Sequence, residues 1–222
     1  MAVNPVEIAN LALGNIRARS IQSFDEDSLE AQTIKLRYDL CRRWVLQEVM
    51  PNFAKKTLAL GLTTEQDNRW IYCYDYPADC LKVQYILPNW VFGEERTVYL
   101  RFGYEYPMDK RIELIKEHAE EFEIEQKGTS KVIMTNIDEA YATYIKDEED
   151  TNLFTAQFAE AFAWWLSAQI AVPVVGAEKG REMRRDALNI YSQMVREAKE
   201  SLGNERRVQP EGRSELTIQR EW

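Results

Sequence analysis

The chain has 222 residues, 45% hydrophobic and 29% charged, and carries a formal net charge of −9. Those proportions are expected of a soluble globular protein with one core and an appendage. Its acidity argues against gripping nucleic-acid phosphates, which takes Lys and Arg. No run of about 18 apolar residues offers a transmembrane helix. The start, MAVNPVEIANLALGNI, lacks the basic-then-apolar order of a signal peptide, so synthesis and residence in the cytosol are expected.

Asn4-Pro5 predicts a helix start, with Asn as N-cap and Pro in the first turn. Ile8, Leu11 and Ala12 keep helical spacing, and Gly14 is the expected stop. Residues 17–27 read as an irregular polar stretch anchored by Ile21 and Phe24. A second helix is expected from Asp27 or Ser28 to Met50, where Pro51 disfavours helix at the residue before it. Ala31, Ile34, Tyr38, Cys41, Val45 and Val49 form its apolar face, which Leu36, Leu40 and Trp44 widen. A face that wide implies contact on two sides, in a bundle or in an oligomer.

A polar loop, Thr63 to Asn68, leads into the aromatic run Trp70–Tyr76, which Pro77 ends. Val83–Leu87 alternates up to Pro88, and Val98–Phe102 is a further candidate strand. Asp109–Ala119 has helical spacing. Three short runs, Glu121–Gln126, Lys131–Met134 and Ala140–Ile145, are expected to pair as one small antiparallel sheet, with a turn at Gly128. Between Asp109 and Asp150 lie 13 acidic and 6 basic residues, so −7 of the net charge sits there. This reads as a solvated acidic face, or as a wall past which DNA slides without sticking.

Asp150 to Asn152 can cap the next helix, the most apolar in the chain, with Phe154, Phe158, Phe162, Trp165 and Leu166 on one face and Pro173 as its expected end. A long helix from Glu178 to about Leu202 follows, with Met183, Ala187, Ile190, Tyr191, Met194 and Ala198 as its buried stripe, and the two should form an antiparallel hairpin. Gly203 is expected to end the globular part. The last residues, Asn204–Trp222, cannot form a core alone, yet Leu216-Thr217-Ile218 alternates and the chain ends on Trp. They read either as a frayed tail or as a segment that orders on a partner.

The expected fold class is therefore mainly α (α+β): an antiparallel helix bundle with a small antiparallel β insertion and an extended C-terminal tail. Residues 1–62 supply the N-terminal helices, 63–150 the β-rich insertion, 151–203 the C-terminal hairpin and 204–222 the arm. Cys41, Cys73 and Cys80 sit among apolar neighbours and read as small buried hydrophobes. The single histidine, His118, lies in a Lys/Glu-rich stretch, and there is no Cys-x-x-Cys pair, so neither zinc nor another cofactor is expected. Gly-rich phosphate loops, Gly-x-Ser-x-Gly and His-Glu-x-x-His are missing. A carboxylate pair of the kind glycoside hydrolases use stays open, because 37 acidic residues always contain some such pair.

Several segments together resemble a known family. Asn10–Ile16, then Ser23–Ser28 with Glu30-Ala31, are similar to the opening of the head-to-tail adaptor proteins of short-tailed bacteriophages, the tail tubular protein A type. Pro51-Asn52-Phe53-Ala54 resembles the family's Pro-Trp-x-Phe-Ala, with Asn in place of Trp. Trp70-Ile71-Tyr72-Cys73-Tyr74-Asp75-Tyr76-Pro77-Ala78-Asp79-Cys80-Leu81-Lys82-Val83 resembles its W-x-Y-x-Y-x-x-P-x-D-C-L-x-V segment, and Phe154–Ala171 its late apolar helix. The likeness covers most of residues 8–90 and 150–200.

The resemblance implies structural work without catalysis. Such adaptors form a ring, twelve copies in the family, beneath the portal protein of the filled head, in the virion neck. They receive the tail nozzle or tail fibre proteins and enclose the path of the packaged DNA, with no membrane involved. Carried over, the tail becomes a portal-docking arm, with Arg206, Arg207, Arg213, Leu216, Ile218, Arg220 and Trp222 as portal-binding residues. The helices would form the ring wall and the β insertion the tail-facing part. The alternatives are a virion-associated carboxylate-based cell-wall hydrolase and a non-viral α+β interaction module.

Overall fold

The computed structural model describes residues 4–65, 67–89, 98–99, 105–106 and 121–205, with the backbone alone for 98–99, 105–106 and 201–205. Among the described residues the fold is α+β. Two helices, α1 (Pro5–Asn15) and α2 (Leu29–Val49), precede the strands, and two more, α3 (Ala156–Val175) and α4 (Ala177–Glu205), come after them. The strands are β1 (Lys55–Ala59), β2 (Tyr72–Asp75), β3 (Cys80–Pro88), β4 (Val98–Tyr99), β5 (Glu105–Tyr106), β6 (Phe122–Lys127), β7 (Ser130–Thr135) and β8 (Ala140–Lys146). The Asp109–Ala119 helix lies outside the described residues.

Local chemistry sets the first two helices. Asn4 caps α1 through a bond from the Val6 amide, and Glu7 reaches back to the Asn4 amide at 2.9 Å. The left-handed residue after α1 is Arg17, with φ 57°, and the helix passes through Gly14 to Asn15, so Gly14 is not its stop. Ser28 caps α2, its hydroxyl accepting from the Ala31 amide at 3.3 Å. The helix stops at Met50, where Pro51 disfavours a further helical residue and Met50 closes the helix as a left-handed cap (φ 55°) with its amide on the Leu46 carbonyl.

Helix α3 is the centre of the helical layer. Phe158, Ala161, Phe162, Ala163, Leu166, Ile170 and Ala171 are all buried, against α1, α2 and α4. By length and composition it is apolar enough to cross a membrane, but ten of its twenty residues are buried inside the fold, so its hydropathy is that of a core helix. Thr155 caps it, while Asp150 caps the single turn Thr151–Leu153 before it. Pro173 does not end it: the helix continues to Val175, and Gly176 (φ 101°) makes the break. Pro173 is exposed in the last turn, so the intrahelical bond it forfeits lies near the helix end rather than in its interior. Helix α4 runs back along α3. A Cβ on buried Gly180 would lie 2.7 Å from the Ala171 carbonyl oxygen and 2.8 Å from the Val172 Cα, so glycine sets how closely the two backbones approach. Helix α4 also continues through Gly203 to Glu205.

The strands make two three-stranded antiparallel sheets, ordered β1-β8-β3 and β2-β7-β6, and a β4-β5 ribbon. This corrects the expectation that residues 121–145 form one sheet. Strands β6 and β7 pair with each other, but β8 lies between β1 and β3. Its burial explains the choice: five of its seven residues are buried, which suits the middle strand of a sheet covered on both faces. Strand β1 adds an edge just after α2, with Thr57 opposite Thr143 and their hydroxyls 2.8 Å apart.

One buried charge ties sheet to helices. Arg42 lies inside the apolar face of α2 and is 1% exposed. Its guanidinium donates to Asp147 Oδ1 at 2.6 Å and to the Glu148 carbonyl, and Asp39 and Glu149 stand 3.6 and 3.5 Å away. Arg43 holds the second oxygen of Asp147 at 2.7 Å. Two residues near the end of the acidic segment are thus internal: Asp147 meets Arg42 and Arg43, and Glu148 is buried and pairs with Lys146, while Glu149 and Asp150 are exposed.

These contacts set the expected cost of removing them. Arg42→Met should lower unfolding free energy by about 1–3 kcal/mol, because it leaves the Glu148 carbonyl unmet and Asp147 with Arg43 alone. Arg43→Met, whose guanidinium is about half exposed, should cost less, about 1 kcal/mol, in the same urea titration. Gly180→Ala should cost about 1–3 kcal/mol in that assay, since backbone rather than a side chain stands in the way.

Candidate functional site

The segment Trp70–Val83 joins the two three-stranded sheets. Strand β2, the Pro77 corner and β3 succeed one another across both sheets. Trp70 Nε1 donates to Glu123 at 3.1 Å, fixing β2 to β6 across β7. The buried Tyr74 hydroxyl donates to the Ile137 carbonyl at 2.8 Å and accepts from the Ala140 amide at 3.4 Å, holding the β7–β8 connection. At the corner, the Asp79 carboxylate accepts from the Tyr144 hydroxyl at 2.7 Å and from Lys56 Nζ at 2.8 Å, so it links β8 and β1. Burial pushes the Asp79 pKa up, but the hydrogen bonds from Lys56 and Tyr144 outweigh it and hold the carboxyl below its ordinary value. The Cys80 thiol lies 3.1 Å from the Tyr76 hydroxyl. These polar side chains have structural partners.

The α1 residues are occupied in the same way. Asn10 bonds both the amide and the carbonyl of Ile21, at 2.8 and 2.9 Å, which pins the polar loop to α1. Asn15 reaches the buried Ser167 hydroxyl at 3.2 Å, and that hydroxyl lies 3.0 Å from the Ala12 carbonyl, clamping α1 to α3.

Helix α2 does not bury its whole apolar circumference. Leu29, Leu36, Leu40 and Trp44 are 56%, 76%, 61% and 53% exposed. Spaced by seven, four and four, they form one stripe on the side away from the core. Trp44 stacks on Trp165 at 5.4 Å with rings 7° apart, and Trp165 meets Tyr191 at 4.9 Å, so aromatic rings hold one end of the stripe rigid against α3 and α4. Arg37 is exposed beside Leu40 and Trp44, and no carboxylate among the described residues pairs with it. The second side of contact expected for Leu36, Leu40 and Trp44 is therefore left open among the described residues.

A second apolar surface lies where the two sheets meet. A groove of about 350 Å³ has Leu60, Leu62, Tyr74 and Tyr141 along it and Asp138 and Glu139 on its rim. Leu62 is largely exposed. Glu139 takes φ 47°, and its carboxylate accepts from Asn89 at 2.8 Å. The groove sits at the far end of β8, six residues from the Lys146 end that α2 grips, or about 20 Å along the strand.

The seven residues expected to bind a portal, Arg206, Arg207, Arg213, Leu216, Ile218, Arg220 and Trp222, lie outside the described residues. Helix α4 is nine residues longer than α3 (29 against 20), about 13 Å more at the helical rise. Lys199, near its end, bonds Glu48 of α2 at 2.7 Å. The end of α4 at Glu205 therefore lies beyond the C-terminal end of α2. Burial pushes the Cys41 thiol up to about 12, which keeps it protonated and unreactive. Among the described residues, His, Cys, Asp and Glu form no cluster of three able to hold a metal.

Sequence reasoning missed two features. Arg42 was visible as a charge inside an apolar stripe, four residues after Tyr38 and three before Val45. The groove had no sequence signal, since its walls come from residues far apart in the chain. No protein-family model matches the chain, and no curated protein matches it.

Asp79→Asn should lower the urea midpoint at about pH 7. The carboxylate's contribution is fully present above its ordinary value of 3.8 and is lost as pH falls through its lower folded value. The midpoints of variant and wild type should therefore converge in acid.

Proposed function

We propose that this chain is a head-to-tail adaptor subunit of a short-tailed bacteriophage, a virion neck protein that forms a ring under the portal and performs no catalysis. The observation that carries the reading is the exposed stripe on α2. An otherwise well-packed core leaves three leucines and a tryptophan in water along one helix, as an assembly subunit does. The residues that carry the resemblance also support it, because from Asn10 to Asp79 they hold elements together rather than surround a reactive group.

In this reading the four helices close as an antiparallel bundle and form the ring wall, in twelve copies. The sheets face the tail nozzle or tail fibre proteins. The length of α4 favours an arm, since it carries the chain clear of the core before residues 206–222 begin. Arg206, Arg207, Arg213 and Arg220 would meet acidic portal groups, and Leu216, Ile218 and Trp222 would order on the portal surface. A net charge of −9 keeps packaged DNA from adhering as it passes.

The test is co-sedimentation with the portal ring encoded by the same genome. The full chain should join the ring in stoichiometric amount, while a chain ending at Glu205 should stay in the supernatant and remain folded by circular dichroism. Equal binding of the short chain would remove the arm, and no binding by either would remove the adaptor reading.

A further inference from the structure

We infer that the exposed stripe of α2 on one copy docks into the groove between the sheets on the next copy, and that this head-to-tail contact closes the ring. The inference rests on the ring proposed above for its closure, and on this chain's own surfaces for its faces. Among the described residues, both surfaces present apolar side chains to solvent beside charged ones. Leu36, Leu40 and Trp44 project from one, and Leu60, Leu62, Tyr74 and Tyr141 line the other. At about 350 Å³ the groove suits a few side chains rather than a larger ligand.

Charge picks out this pairing. Arg37 flanks the stripe without a carboxylate partner among the described residues, while Asp138 and Glu139 stand on the groove rim. Docking brings opposite signs together at the edge of an apolar contact, which favours one register over others. A two-fold pairing of α2 with itself, centred near Tyr38, would instead set Arg37 beside its own copy. The like charges oppose that arrangement.

Topology points the same way. The stripe belongs to the helical layer, and the groove lies about 20 Å along β8 from where α2 holds that strand. Two different patches at separate places make a heterologous contact, and such contacts propagate into closed rings or open filaments. The stripe runs from Leu29 to Trp44, about 22 Å of helix. One helix face of that length falls short of the roughly 800 Å² per partner that a stable pair needs. Single contacts are therefore weak, and the closed ring supplies the stability.

Cysteine crosslinking of full-length chains tests this. Leu40→Cys and Leu62→Cys change two exposed positions, and folding of each is verified by circular dichroism. A short thiol-reactive crosslinker is added to each variant alone, to their mixture, and to the otherwise unsubstituted chain, all carrying Cys80→Ser, because that thiol is half-buried whereas Cys41 and Cys73 are buried. The mixture should give a covalent dimer that neither variant nor the otherwise unsubstituted chain gives alone. Adding Arg37→Glu to the first variant should cut the yield about threefold, the size expected for an exposed ion pair. Glu139→Arg in the second should then restore it. A dimer from Leu40→Cys alone would replace the head-to-tail contact with a two-fold one. No mixed dimer here, and none from the pair Leu36→Cys with Leu62→Cys, would overturn the contact. Portal co-sedimentation is read independently, so loss of this contact and loss of the adaptor reading are separate results.

Discussion

A guanidinium sealed inside an apolar helix face constrains everything around it. Arg42 cannot remain in the core uncompensated, so acidic chain must come to it. Asp147 and the Glu148 carbonyl do so, and they belong to the connection between β8 and α3. The last strand of one sheet and the entry to the central helix are thereby placed against α2. Apolar burial supplies the larger share of the stability, but it is non-directional. The ion cluster adds direction, because its partners fit in one arrangement.

The second sheet depends on the first through backbone rather than charge. After β1 the chain crosses over, and the Leu60 amide donates to the Ala140 carbonyl at 2.8 Å before Leu62 bridges to Tyr74. Tyr74 then bonds the turn between β7 and β8. The two sheets share this seam, and their meeting leaves the groove. It is a by-product of the same hydrogen bonds that position β8.

Local signals in the sequence are readable where local chemistry decides the outcome. Asn4-Pro5, Ser28 and Met50-Pro51 set the ends of α1 and α2 through bonds within a few residues. They mislead where distant packing decides. Pro173 and Gly203 look like helix ends, yet α3 runs two residues past Pro173, packed closely on α4 at Gly180, and α4 runs two residues past Gly203. Proximity in sequence assigns β8 to its neighbours β6 and β7, although its partners are β1 and β3. The α2 stripe is an instructive case, since periodicity shows which residues are apolar and not which surface covers them. Leu36 has the same spacing signal as Ile34 has on the buried side, yet one is 76% exposed and the other fully buried.

The proposed assembly has to contend with the chain's own charge. Copies that each carry −9 repel, and the repulsion opposes a pairwise contact built on one helix face. Physiological salt screens it beyond about 8 Å, whereas the Arg37 contact acts at closer range. The apolar part of the interface gains little or nothing from low salt. A free subunit with these properties stays monomeric at modest concentration and joins others once a template holds them side by side. A portal that binds one arm per subunit does this, because each neighbour then meets its partner at an effective concentration set by the arm's length. In this reading, tail and stripe are complementary: the tail supplies the proximity that makes a weak stripe sufficient, and the stripe converts separately tethered subunits into a closed wall.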